Sequence, residues 1–353
     1  MTDVLVIGGG IAGISAAARL SASAKVTVLE AESALGYHAS GRSAALFEEN
    51  YGNAAVKALN SASADYHQPY LSPRGFLLLG NGTDDDVFNM DLSDLKTDEI
   101  SAAEAREMVP ILGPAVTRAA YHAAAQDIDT DRMIQDFAKR VRLNGGQIVQ
   151  NARVGAISFE NTHWTVRSGQ TSFTAGIIVN AAGAWADQIA TLAGLAPIGL
   201  QPCRRSIARI PAPNDLQVCD WPLFFGAGET WYAKPDAGKL LVSPADEDPV
   251  EPHDAWADDM VLAEGIARYD GHVTTPVTRV ETTWAGLRTF APDRSLVLGP
   301  DPQSPNFIWC AGQGGYGFQT APAASQLVAD LAAGQTPEIP LEIVNSLSAA
   351  RFR

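Results

Sequence analysis

An apolar run, Val4-Leu5-Val6-Ile7, passes without a spacer into Gly8-Gly9-Gly10-Ile11-Ala12-Gly13 and then into Ile14-Ser15-Ala16-Ala17-Ala18-Arg19-Leu20. This order reads as a buried strand, a glycine turn and a helix in immediate succession. Gly8 permits the tight turn, Gly10 lets the backbone approach a pyrophosphate, and Gly13 lets the helix pack closely on the strand. The helix N-terminal N–H groups, with Ile11 and Ala12, are then aimed at phosphates. A second run, Lys25-Val26-Thr27-Val28-Leu29, ends on Glu30-Ala31, about 20 residues beyond the loop, where a ribose hydroxyl needs an acceptor. Together these features predict a Rossmann-like α/β unit that holds a dinucleotide.

At 353 residues the chain exceeds the size at which one core keeps growing, so two lobes are expected. A formal net charge of −15 argues against nucleic acid or an anionic membrane as partner, since both select for basic patches. The three cysteines, Cys203, Cys219 and Cys310, lie far apart with no CxxC and no metal-ligand spacing, as in a reducing compartment. No charged leader and no apolar stretch of about 20 residues is visible. A cytoplasmic protein without an integral membrane segment is expected.

Further along, Asp131 to Asn144 has a helical apolar rhythm stopped by Gly145-Gly146. Gln147–Val149 and Arg153–Ile157 read as short strands, His163–Arg167 as part of a hairpin or meander, and Ile177–Asn180 as a buried parallel strand. That strand feeds Ala181-Ala182-Gly183 and a helix from about Ala184 to Ala193. Taken alone, the small residues suit a cofactor contact and plain helix packing equally well. Two insertions of mixed character interrupt this pattern. The second alternates strands (Arg204–Ile210, Trp231–Lys234, Lys239–Ser243) with one helix (Ala257–Arg268), as in an antiparallel sheet with helices on one side. The expected division is a discontinuous cofactor domain, residues 1–50, 126–199 and 284–353, and a substrate domain, residues 51–125 and 200–283. Pro244–Pro252 reads as an exposed loop without chemistry, and Glu48, Glu49 and Asp84-Asp85-Asp86 as solvated acidic faces.

The ordered set GGGIAG, VTVLEAE, Ser40-Gly41-Arg42-Ser43-Ala44-Ala45 and Val179-Asn180-Ala181-Ala182-Gly183-Ala184-Trp185 resembles the FAD-dependent D-amino-acid oxidase superfamily over nearly the whole chain. Trp284-Ala285-Gly286-Leu287-Arg288-Thr289-Phe290 and Gly312-Gln313-Gly314-Gly315-Tyr316-Gly317-Phe318-Gln319-Thr320 look most like its D-arginine and other D-amino-acid dehydrogenases. The resemblance implies a glutathione-reductase-type FAD domain, an antiparallel α+β substrate domain, and a flavin lying between them. It implies that Glu30 binds the adenosine ribose, that Val154 meets the adenine, and that Ala181, Ala182 and Gly183 border the adenosine. Ser40, Arg42 and Ser43, continued by Ala44 and Ala45, would line the diphosphate and flavin, with Trp185 and Gly286 nearby. Gly312, Gly314, Gly315, Tyr316, Gly317, Phe318, Gln319 and Thr320 would hold the isoalloxazine, where a helix beginning near Thr320 stabilises negative charge on the reduced ring. No cysteine lies in the WAGLR segment and no histidine in the first glycine loop, so non-covalent FAD is expected.

The implied reaction is hydride transfer from the Cα of a D-amino acid to flavin N5. The resulting imino acid hydrolyses to a 2-oxo acid and ammonia, and electrons pass to oxygen or a quinone-type acceptor. No residue must abstract the α-proton, and none is assigned as base. A planar guanidinium matches the substrate carboxylate bidentately; alone, Arg288 reads as an ordinary surface arginine, and the motif makes it the carboxylate ligand. The resemblance adds Arg205 and Tyr232 as its assistants, Tyr51 on an active-site loop, and the Gly315 carbonyl as acceptor for the amine. After Ala45 the D-arginine dehydrogenase pattern has a histidine and a tyrosine where this chain has Leu46 and Phe47, so the resemblance does not extend to the substrate side chain. Two other readings fit the motifs: a sarcosine- or glycine-oxidase-like amine oxidase, and an FAD-binding subunit of a heteromeric dehydrogenase. An NAD-dependent dehydrogenase leaves the GQGGYG loop unexplained. Replacing the carboxylate ligand should cost about 2 to 5 kcal/mol of substrate binding. Arg288→Ala is therefore expected to raise the apparent KM steeply for a carboxylate substrate in steady-state assays, and an unchanged KM refutes the assignment.

Overall fold

The N-terminal apolar run forms the strand Thr2–Ile7, buried from Val4 onward, inside an eight-stranded sheet. The computed structural model describes residues 2–213 and 216–353. Val26–Leu29 and Thr171–Asn180 pair in parallel with Thr2–Ile7 on its two sides, and Gln147–Val149 and Ser304–Ala311 extend the parallel set. Register matters more here than strand count. Ile7 is level with both Leu29 and Asn180, so the chain leaves the sheet at Gly8, Glu30 and Ala181 side by side. In an open parallel sheet that carboxyl edge is where ligands bind.

Close backbone contact holds this edge together. Gly8 has φ +109°, in the region that favours glycine, and a Cβ there would strike the Ala181 carbonyl. A Cβ at Gly13 would strike the Gly8 carbonyl, so the helix Ile11–Leu20 can lie against the turn only with glycine at 13. That helix packs against Thr130–Leu143 and Gly317–Ala332, burying Ile14, Phe137, Leu327 and Val328 in one core.

Ala54–His67 joins the same core through Val56 and Leu59 and lies on Gly317–Ala332. The sequence division places this helix in the substrate domain, and the structure packs it on the cofactor lobe. Its apolar stripe dictates that one face is buried, but not against which partner. A second difference is at Thr282–Phe290. This strand runs antiparallel to Gln201–Ile210 along nearly its whole length, within a nine-stranded sheet that also contains Phe76–Gly80, Arg118–His122, Leu223–Gly226, Tyr232–Asp236 and Lys239–Ser243. Residues 284–290, expected in the cofactor domain, are thus part of the second sheet.

Smaller corrections have local causes. Arg153, Val154 and Gly155 precede the strand Ala156–Glu160, since Val154 is turned to the cavity described below. The expected 184–193 helix begins as a 3-10 turn at Gly183–Trp185 and continues as Ala186–Leu192. Within Pro244–Pro252, Asp246 is buried: its carboxylate accepts from Ser206 N at 2.6 Å, Ser206 Oγ at 2.8 Å and Arg204 Nε at 3.1 Å. No helix among the described residues is long and apolar enough to cross a membrane.

His67 ends the helix that braces the C-terminal glycine loop. It is fully buried, its Nε2 donates to the Gln319 carbonyl at 2.9 Å, and its Nδ1 has no hydrogen-bond partner. Burial lowers its pKa, with the Gln319 bond opposing in part. The folded pKa thus lies below the unfolded value of about 6.5, and the unfolded chain binds the extra proton as pH falls. The His67 contribution to stability is complete above that value and is lost on acidification. Thermal melts between neutral and mildly acidic pH should show a Tm decline that is shallower in His67→Gln, which keeps a donor toward Gln319; equal slopes contradict this.

Candidate active site

A cavity of about 550 Å³ runs from the first glycine loop to the face of the nine-stranded sheet. At its nucleotide end lie Gly8, Gly10, Ile11, Ala12, Glu30 and Ala31. Glu30 is 7% exposed; its Oε2 accepts from Gly9 N at 2.6 Å and its Oε1 from Glu32 N at 2.8 Å, which fixes the carboxylate at the strand end. Val154, Ala181, Ala182, Gly183 and Trp185 form the adjoining wall, and Ser40, Ser43, Ala44, Ala45 and Gly286 continue it toward the second sheet.

Two helix N-termini face this one cavity. Neither Ile11–Leu20 nor Gly317–Ala332 is capped by the side chain of its own N-cap residue, and neither has an acidic residue in its first turn. Ser40 Oγ accepts from Ile11 N at 3.0 Å, leaving neighbouring N–H groups to face the cavity. Such ends favour negative charge, one suited to a diphosphate and the other to an anionic ring edge. Gly317, Phe318 and Gln319 line the second end with Gly314 and Gly315.

Four sequence-predicted contacts stand behind the wall. Gly13 abuts Gly8; Gly312, at φ +72°, turns the chain beside Val297; Tyr316 is the N-cap residue of Gly317–Ala332; and Thr320 Oγ1 donates to Tyr316 O at 2.8 Å. They shape the loop without lining the cavity. Arg42 lines it, but its guanidinium is committed to the protein. Nη1 donates to Ala255 O at 2.8 Å and Ala285 O at 2.9 Å, and Nη2 pairs with Asp254. Arg42 therefore locks the cofactor wall to the second sheet.

At the other end, sheet pairing sets the side chains. Arg205 is opposite Gly286 and Cys203 opposite Arg288, so both arginines project from one sheet face. Arg205 is 7% exposed; its Nε donates to Asp246 O at 2.8 Å and its Nη2 lies 3.5 Å from Glu247 Oε1. Its Nη1 is buried without a partner. Burial, and then repulsion from Arg288, lowers the Arg205 pKa. Burial also opposes charge on Arg288, but Tyr51, Tyr232 and Glu229 outweigh it and hold its pKa above the ordinary arginine value.

Tyr51 Oη donates to Glu229 Oε2 at 3.2 Å, and burial, then the Glu229 charge, raises the phenol pKa. The backbone before it is pinned by Asn60 Nδ2, which donates to the carbonyls of Glu48, Glu49 and Tyr51 at 3.3, 3.2 and 3.0 Å. Glu229 escapes the sequence reading because the turn Ala227–Glu229 carries no motif; Gly228 and Glu229 there have positive φ, +71° and +50°. Leu46, Glu48, Phe76, Leu95, Leu223 and Phe225 also line the cavity, and strand pairing brings Phe76, Leu223 and Phe225 together there. Glu48, read from sequence as solvated, is 5% exposed. Asp85 and Asp86 are exposed, as expected of a solvated face.

A family model described as FAD dependent oxidoreductase, designated DAO, matches residues 3–331. The chain belongs to that family. Its cofactor is FAD, and the two helix N-termini, free of acidic residues in their first turns, and the fixed Glu30 carboxylate fit that group. This family member is 25% identical to glycine oxidase of Pseudomonas putida over 96% of both chains. It is also 25% identical to the hydrogen cyanide synthase subunit HcnC of Pseudomonas aeruginosa, over 70% of this chain but only 59% of that one. The chain thus spans less than two thirds of the HcnC length. Among solved structures, glycine oxidase from Geobacillus kaustophilus superposes with a TM-score of 0.85 at 19% identity, covering 99% of this chain and 98% of that one; at this identity the likeness is of fold.

Gly315 sits where the C-terminal loop meets the arginines. Gly314 N donates to Thr289 O at 2.9 Å, drawing the loop onto the strand, and a Cβ at 315 would lie 2.9 Å from Arg288 Nη1. Gly315→Ala should displace the guanidinium. A misplacement near 1 Å can cost on the order of a hundredfold. Steady-state assays should show a raised KM for carboxylate substrates with a Tm close to wild type; an unchanged KM means that the carboxylate does not meet Arg288.

Proposed function

We propose that the chain oxidises the CH–NH2 group of an α-amino acid, in the manner of the D-amino-acid dehydrogenases and oxidases. The observation that carries this reading is the pair of arginines, Arg205 and Arg288, on one sheet face at the cavity end. Two guanidinium groups on one sheet face suit a carboxylate, and Arg288 offers the bidentate fork. Tyr232 and Tyr51 close the sides, and the Gly315 carbonyl accepts from the substrate amine. Bound FAD, held by the first glycine loop, Glu30 and the C-terminal glycine loop, would supply the hydride acceptor for the substrate α-carbon. The residues do the remaining work: they anchor the carboxylate, aim the α-hydrogen toward the cofactor wall and exclude water. The reaction leaves an imino acid, which water converts to a 2-oxo acid and ammonia.

The cofactor is held without a covalent bond in this proposal. Cys310 lies behind the glycine loop, buried, and its thiol is pushed up to about 12 by that burial, so it stays protonated and unreactive. Electrons leave to oxygen or a quinone-type acceptor, in a cytoplasmic setting. Alignment with glycine oxidase over 96% of both chains favours a second reading, oxidation of glycine or a small secondary amine such as sarcosine. The HcnC name, which designates a subunit, supports a third, in which the chain works within a heteromeric dehydrogenase.

One experiment separates them. The FAD-loaded protein is mixed anaerobically with D-amino acids, L-amino acids, glycine and sarcosine, and the visible flavin absorbance is followed. Bleaching by D-amino acids is expected. Bleaching by glycine and sarcosine alone favours the second reading, and bound flavin that no amine bleaches rejects both enzyme readings of the isolated chain.

A further inference from the structure

We infer that the site takes amino acids with an apolar, branched or aromatic side chain, read by a hydrophobic trough on the sheet face beyond Tyr232; this rests on the amino-acid reading above. The trough follows from strand registry. In paired strands, residues directly opposite share a face. Tyr232 is opposite Phe225 on the neighbouring strand, and Leu223, on the same face as Phe225, is opposite Phe76 on the next. The same sheet face therefore changes across its width from the guanidinium pair, through Tyr232, to Phe225, Leu223 and Phe76.

These residues make one wall. The Phe76 and Phe225 rings lie 5.6 Å apart, and Leu46, Leu223 and Tyr232 pack against that cluster while remaining partly exposed to the cavity. Leu46 comes from the segment that carries Tyr51, so it faces the trough from the cofactor side. A carboxylate fixed on Arg288 and a side chain laid past Tyr232 would bury its apolar atoms here. Glycine and sarcosine would leave the trough unfilled.

Two carboxylates among the described residues line this end of the cavity, and both are engaged by the protein: Glu229 Oε2 accepts from Tyr51 Oη at 3.2 Å, and Glu48 is held by Asn50 and His122. Glu48 Oε1 accepts from Asn50 N at 2.9 Å and Asn50 Nδ2 at 3.1 Å, and its Oε2 lies 3.2 Å from His122 Nε2. Both oxygens are occupied by the protein. An apolar pocket gains about tenfold or more per well-placed methylene, so leucine should outrun glycine by at least that factor.

The test uses the FAD-loaded protein and two readouts. Anaerobic flavin reduction is measured with leucine, methionine, phenylalanine, glycine, sarcosine, lysine and arginine, each chiral substrate as the enantiomer that is oxidised. The apolar three should show second-order rate constants at least about tenfold above the rest. Independently of turnover, 4-methylpentanoate should perturb the flavin spectrum with a Kd at least about tenfold below that of acetate. Leu223→Asp should remove both preferences, and Leu223→Met should retain them. Glycine, sarcosine or a cationic amino acid reacting as well as leucine, or equal Kd values for the two carboxylates, overturns the inference and leaves amino-acid oxidation standing. Flavin reduced by no amino acid, with 4-methylpentanoate still preferred, overturns the proposed reaction and keeps the trough.

Discussion

The packing of Gly8 against the Ala181 carbonyl, and of Gly13 against the Gly8 carbonyl, is the contact on which the rest depends. It brings two strand ends and a helix start to a single level. Because Ile7 is in register with both Leu29 and Asn180, the glycine turn, Glu30 and the small-residue bend are neighbours rather than scattered features. A side chain at either glycine would push the helix dipole off its aim, and the anionic cofactor would lose its strongest fixed partner.

The second sheet depends on that frame in turn. Thr282–Phe290 carries Gly286 under the cofactor wall and Arg288 to the cavity end, while Gly314 N reaches back to Thr289 O. Arg42 adds a tie by donating to Ala255 and Ala285 carbonyls. Gly286, Arg288 and Arg205 thus share one antiparallel ladder, and their separation is set by backbone geometry.

Much of the nucleotide end was legible in the sequence, because its chemistry is written in local spacing. GGGIAG, Glu30 and the Ala181-Ala182-Gly183 bend each have a local steric or electrostatic reason. The C-terminal glycine loop was legible too, although Gly312, Tyr316 and Thr320 prove to support the wall. What was not legible came from pairing at long range. Leu223, Phe225 and Phe76 carry no motif and become a trough only through registry between distant strands. Asp246 lay in a Pro- and acid-rich stretch that looks solvated, and its burial follows from the Ser206 and Arg204 partners that the sheet places beside it. The Ala54–His67 helix showed its apolar stripe but not the helix it covers. Family resemblance supplied the roles proposed for Arg288 and Tyr51, which composition and periodicity alone would leave as a surface arginine and a packed aromatic.

The discontinuous cofactor lobe has a consequence for biosynthesis. The Ile178–Asn180 end of its central strand waits for Phe307–Trp309 to pair with it, and Ile11–Leu20 waits for Gly317–Ala332 to cover it. While the ribosome is making the second sheet, the nascent nucleotide lobe therefore presents an unpaired apolar strand edge and a bare helix face. Such surfaces invite wrong pairing. Productive folding of this chain is consequently a late event, completed when its last strand and long helix emerge, and the earlier segments need shielding until then.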